Sequence, residues 1–115
     1  MRPAGMLYGM AAVGCEIVRW VSDEPQPGIV EVQLTDAYGR CWSFLDKVAI
    51  FDADGSAGAD SVYPVASVIA CEVLGTSVAD DGREIVSITT LRPWGVESTD
   101  GQNEFHVAAD QLIEP

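Results

Sequence analysis

Apolar and polar residues alternate with a period of two along most of the chain, and helical periodicity is almost absent. In GIVEVQLTD, Val30, Val32 and Leu34 fall on one face and Glu31, Gln33 and Thr35 on the other. RCWSFLDK follows, with Trp42 and Phe44 on one face. The intervening Asp36-Ala37-Tyr38-Gly39 reads as a type I turn, with Gly39 suited to a left-handed bulge position. That turn sets a register. Pairing Asp36 with Arg40 places Leu34 against Trp42 and Val32 against Phe44, so the large side chains meet on one face.

The plan recurs downstream. Asp80-Asp81-Gly82 joins runs 67–77 and 84–91, which are rich in Val, Ile and Thr. Both runs carry apolar residues on two faces, as central strands and barrel strands do. VESTDGQNEF reads as a third hairpin, in which a two-residue Asp100-Gly101 turn sets Val96 opposite Phe105. Residues 16–22 make another strand, with Ile17 and Val21 opposed to Val18 and Trp20. VAADQLI ends the chain in a short helical turn. The pattern predicts one all-β domain over 1–115, with segment 1–15 unassigned. Its architecture is a small antiparallel barrel or sandwich of about six or seven strands joined by short hairpins.

Composition narrows the class of partner. Apolar residues make up 48% of the 115, enough for a core in a single domain. Eighteen acidic residues against six basic ones give a formal charge of -12. Such a field repels nucleic acid and anionic lipid, so a charged partner is expected to be a basic protein. A homo-oligomer is compatible with the pattern. The acidity equally suits solubility alone.

The three cysteines, Cys15, Cys41 and Cys71, fit no zinc or redox spacing. Cys41 and Cys71 fall within apolar strand patterns and are expected to act as small hydrophobes. The odd count points to a reducing cytoplasm. MRPAGMLYGMAAVGC faintly resembles a lipoprotein signal ending at Cys15. The single early Arg2, Ala12 three before the cysteine and a strand pattern from Glu16 argue against it.

One stretch carries a chemical suggestion. VAIFDADGSAG resembles the nucleophile segment of haloacid-dehalogenase-type phosphatases. That resemblance implies Asp52 as nucleophile, Asp54 as general acid and base, and magnesium between them. The chemistry needs a parallel sheet with a helix after the motif. GSAGADSVYPVAS cannot supply that helix, and Lys47 precedes the motif where the family's lysine follows it. A calcium loop fares little better. Counting from Asp52, position six is Ala57 and position twelve is Tyr63, where glycine and glutamate are required. Asp52, Asp54 and Asp60 leave room for a looser calcium site. The reading adopted is a solvated, mobile loop over 52–64, without metal, cofactor or catalytic residues.

Two further candidates remain. His106 is the only histidine, lies opposite the core side of its strand, and has no sequence neighbour to form a triad. RPWG places Arg92 and Trp94 beside a strand-stopping proline and a glycine, which is the composition of an interface hot spot. The competing and favoured role for Trp94 is a plug folded back into a barrel end. Arg92 and Trp94 are the candidate binding residues. Trp20, Trp42 and Phe44 read as core, and Asp46-Lys47 as a strand-end pair.

FLDK (44–47), YPV (63–65), ACEVL (70–74), TTLRP (89–93) and ESTDGQNEF (97–105), in that order, resemble a set of small uncharacterised bacterial proteins. The likeness extends over most of the chain from Val18 onward and brings no site residues with it. The expected function is a non-catalytic protein-interaction module with an acidic surface, immunity-like in size and charge. The alternative is a small-molecule or carbohydrate pocket near Trp94 and the 52–64 loop. A metal-dependent phosphatase-like enzyme is a third.

Overall fold

The computed structural model describes residues 10–51 and 57–113. Seven antiparallel strands form one strongly curled sheet, a half-barrel. They are β1 (Met10–Ser22), β2 (Ile29–Thr35), β3 (Cys41–Lys47), β4 (Val65–Val78), β5 (Glu84–Thr89), β6 (Glu104–Ala108) and β7 (Leu112–Ile113). Their order is β3-β2-β1-β4-β5-β6, with β7 added beside β1. One helical turn, α1 (Val48–Phe51), follows β3, and a 3-10 turn (Ala109–Gln111) precedes β7. The latter is the helical turn expected in VAADQLI.

The first hairpin has the predicted register. Leu34 pairs with Trp42 and Val32 with Phe44. Its tip is closed by the Asp36 N–H donating to Arg40 O (2.8 Å) and the Gly39 N–H to Asp36 O (3.1 Å). Gly39 has φ 84°, a left-handed value that costs glycine nothing. The tip after β4 repeats the design, with Ala79, Gly82 and Arg83 in these roles, and so does the turn at Ser98, Gly101 and Gln102.

That third turn corrects the third hairpin. It spans Ser98 to Gly101 rather than being the two-residue Asp100-Gly101 turn, so the offset changes by one. Phe105 pairs with Ile88, and Val96 lies outside any strand. Val96 is nonetheless fully buried, and reaches the core from the loop. Thr90 clasps it there. The Val96 N–H donates to Thr90 O (3.0 Å) and Thr90 Oγ1 donates to Val96 O (2.7 Å).

β1 also differs from expectation. It begins at Met10, so residues 10–15 of the unassigned segment are strand, with Val13 and Cys15 in the core. A bulge between Ile17 and Arg19 leaves Val18 unpaired and shifts the alternation by one residue. Trp20 therefore turns inward opposite Val30, and Val21, expected beside Ile17, is exposed. The indole then lies against Gly28, where a Cβ would collide with it and where φ is 139°.

The concave face holds the core: Val13 and Ile17, Val30, Val32 and Leu34, Phe44, Ile69 and Cys71, Ile88, Phe105 and Val107. α1 adds Val48 and Phe51, and Ser67 Oγ donates to Phe51 O from β4. The edge strands β3 and β6 do not ladder together, but side chains bridge the seam. Trp42 and Phe44 both meet the Phe105 ring edge-on, at centroid distances of 5.3 and 5.7 Å. The Ala37 N–H donates to His106 O (2.9 Å) and the Thr99 N–H to Ser43 O (2.8 Å). Phe44 is fully buried and Trp42 half-buried, as core readings required in the main.

Candidate functional site

The convex face shows where the sheet is not finished. Val13 points inward, so Met10, Ala12 and Gly14 point outward by the period of two. Met10 pairs with Glu72 and Ala12 with Ala70, while Ile113 of β7 pairs with Ala12 on its other side. Ile113, Ala12 and Ala70 thus form one outward row across three strands. Two alanines make a low floor in that row. Met10 is 43% and Ile113 53% exposed, so both ends of this floor carry apolar side chains open to solvent.

The loop after β5 comes over this floor. The Gly95 N–H donates to Leu91 O (2.7 Å), and Gly95 takes φ 66°, which closes 91–95 into one tight turn. The Thr90–Val96 clasp pins both ends of that turn. Arg92 donates through Nε (2.8 Å) and Nη2 (2.5 Å) to Glu72 Oε1 on the convex side of β4. The hydrogen bond and charge of Glu72, with a smaller contribution from Glu104, raise the Arg92 pKa above its ordinary value. Arg92 therefore acts as a strut that holds the turn over β4.

Trp94 is the outcome of this geometry. It is 61% exposed, which overturns its favoured role as a barrel plug. With Pro93, Met10, Ala11, Ala12, Ala70 and Ile113 it lines an open apolar hollow of about 420 Å³. The sequence singled out Arg92 and Trp94, and did not single out Met10, Ala12, Ala70 and Ile113, which line the hollow with Trp94. Their common address depends on the β7-β1-β4 pairing. The outward parity of Met10 and Ala12 could have been read only once Val13 and Cys15 were known to be strand.

This hollow lies beside Trp94 on the outside of the sheet, not at a barrel end. The described part of the 52–64 loop, residues 57–64, does not line it. That part is tied to itself: Gly58 O accepts from the Tyr63 hydroxyl (2.6 Å) and the Gly58 N–H donates to Ser61 Oγ (2.9 Å). The Asp52, Asp54, Gly55 and Ser56 motif, with the metal and phosphatase readings that rest on it, lies outside the described residues. Among the described residues, no three His, Cys, Asp or Glu side chains converge as a metal-ion site.

Other candidates are dispersed. His106 is exposed, as its parity predicted, and meets the exposed Tyr38 ring edge-on at 6.3 Å. Asp46 accepts from the Lys47 backbone N–H (2.8 Å), so this pair forms a strand-end contact. Cys71 is buried, but Cys41 is exposed, against expectation. Trp42 and Phe44 face the core, so Cys41 must face out. Burial pushes the Cys15 thiol up to about 12, with help from the Glu16 charge, and the Cys71 thiol up to about 11.

Among the described residues, three ion pairs cover part of the acidity: Arg19–Glu31 (2.5 Å), Arg83–Asp81 (2.8 Å) and Arg92–Glu72 (2.5 Å). Arg40 stacks over the Trp42 ring at 3.9 Å. These contacts leave the described surface strongly negative. No protein-family description, curated protein or solved structure matches the chain. Among the described residues, no helix is long and apolar enough to cross a membrane.

Proposed function

We propose that the chain is a non-catalytic protein-interaction module that offers an acidic surface, with Trp94 as its anchor, to a basic protein. The observation that carries this reading is the exposed Trp94, held out over the convex face by the Arg92–Glu72 pair and the Thr90–Val96 clasp. A large aromatic side chain left in solvent weakens no core contact, and contiguous exposed apolar surface on a small domain marks a binding site. Tryptophan ringed by polar groups is the commonest anchor of such sites. The -12 charge supplies long-range attraction for a basic partner, mainly by speeding encounter. In size and charge the chain is like small acidic immunity proteins, and a cytoplasmic role fits its unpaired thiols.

Affinity capture on the immobilised parent chain and on Trp94→Ala tests the reading. The parent should retain a basic protein at low ionic strength and release it as salt rises. The variant should fold normally and lose that protein. A neutral or acidic partner whose binding ignores salt would contradict the reading.

The hollow itself favours a second reading, an apolar small-molecule site, since its volume is within the range of ligand pockets. Its open, one-sided shape and its position on the outer sheet face favour a macromolecule. Saturable binding of an apolar dye that survives high salt and is lost in Trp94→Ala would support the small molecule instead.

A further inference from the structure

We infer that the Trp94 hollow takes the apolar face of a basic amphipathic helix, an inference that rests on the interaction-module reading and specifies its partner. The width of the site is the first reason. β7, β1 and β4 lie side by side and span about 10 Å. That is also the diameter of a helix with its side chains. Ala12 and Ala70 keep the floor low along this width, while Ile113 rises on the β7 side and Trp94 arrives from the loop after β5. Ala12 is paired on both sides, with Ile113 and with Ala70, so β1 offers a guest strand no free edge at this point. The guest meets side chains, and a helix presents apolar side chains at i, i+3 or i+4, and i+7 to such a groove.

Charge decides what surrounds those side chains. Glu16 is exposed and continues the outward row of Met10, Ala12 and Gly14 along β1. At the other end, Glu72 and Glu104 lie on either side of Thr89 in one cross-strand row, and both act on the single cation Arg92. Carboxylates therefore flank the hollow on the Met10 side, where Glu72 and Glu104 share one guanidinium, and Glu16 lies further along the same face of β1. A second copy of this chain would bring another -12 against this rim, and anionic lipid would be repelled as well. A helix with leucine-like residues on one face and Lys or Arg beside them matches both the floor and the rim.

The test uses a designed probe peptide of about fourteen residues, roughly four helical turns. It carries Leu at helical spacing and Lys elsewhere. A second peptide has the same residues in an order that destroys the apolar face. Calorimetric titration and circular dichroism are run on the parent, Trp94→Ala and Ala12→Arg. The patterned peptide should bind the parent and gain helicity. The reordered peptide should bind at least about tenfold more weakly, a difference of about 1.4 kcal/mol. Trp94→Ala should weaken the patterned peptide about thirtyfold, and Ala12→Arg should abolish its binding. Should Ala12→Arg fail to fold, Trp94→Ala, on an exposed turn, decides alone. Equal binding of both peptides, indifferent to Trp94→Ala, overturns the helix inference and leaves the acidic-surface reading standing. No binding of either peptide at low salt overturns both.

Discussion

Arg40-Cys41-Trp42 and Arg92-Pro93-Trp94 share the spacing of arginine and tryptophan and have opposite fates. In the first, Cys41 continues a strand, so Arg40 and Trp42 stay on the same side and the guanidinium stacks on the ring at 3.9 Å. The indole packs on Phe105, and its Nε1–H donates to Asp36 Oδ2 (3.0 Å). In the second, strand pairing has already stopped at Thr90, and Pro93 lies inside the 91–95 turn. Arg92 turns back to Glu72, and the ring is left 61% exposed over two alanines. The first tryptophan closes the barrel seam. The second stands in solvent beside an apolar hollow. The difference lies in the backbone: Trp42 stands in a paired strand and Trp94 in a turn, so one ring packs into the fold and the other is left in solvent.

The seam should be the costlier place to damage. Phe44→Ala removes a fully buried ring from between Val32 and Phe105, and should cost about 3–5 kcal/mol in urea unfolding. Trp42→Ala should cost less, because that ring is half-buried. A Phe44→Ala loss below about 1 kcal/mol would mean that the seam is not part of the core.

Asp36 ties the first turn to Trp42 and sharpens the comparison through pH. Burial raises its carboxyl. Hydrogen bonds from the Trp42 indole and from the Tyr38 and Arg40 N–H groups, with the Arg40 charge, outweigh burial and leave it below the ordinary 3.8. A carboxyl with a lowered folded pKa contributes stability above its unfolded pKa. That stability is lost as the pH falls from about 3.8 through the lower folded value. Asp36→Asn should cost about 1–2 kcal/mol at neutral pH and flatten the acid limb of the stability curve. An acid limb as steep as that of the parent would place the titration elsewhere.

This hairpin was legible in the sequence because turn chemistry and hydrophobic alternation are both local and agreed. Asp36 and Gly39 fixed the offset, and the pairing of Leu34 with Trp42 followed. The same turn at Ser98–Gly101 was misread, because Asp-Gly is also the signature of a two-residue turn, and the strand that does pair with Phe105 is β5, through Ile88. The start of β1 was invisible for a different reason. Ala11, Ala12 and Gly14 give little contrast between faces, and their strand exists because β4 and β7 pair with it. The bulge at Val18 likewise comes from pairing and leaves no mark in the local pattern. Arg92 and Trp94 stood out by composition, but the turn that carries Trp94 is tied through Arg92 to Glu72, twenty residues before Arg92 in sequence. Cys41 was placed inward although the alternation of Trp42 and Phe44 already turned it out.

Smaller effects check that alternation. A thiol reagent applied to the native chain should label Cys41 rapidly and leave Cys15 and Cys71 unmodified until the chain unfolds. Both buried thiols have pKa values pushed up to about 11 or 12, so thiolate is scarce at neutral pH. Rapid native labelling of Cys71 would place β4 wrongly. Arg92→Ala removes an exposed ion pair and should change stability by less than about 1 kcal/mol. It should still weaken partner binding, because the strut under Trp94 is lost.

Trp94→Ala separates fold from recognition in a single variant. Its urea unfolding free energy should stay within about 0.5 kcal/mol of the parent, while its affinity for the captured basic protein should fall by at least about 2 kcal/mol. A variant that loses more than about 2 kcal/mol of stability, or one that binds the partner as the parent does, would contradict the account.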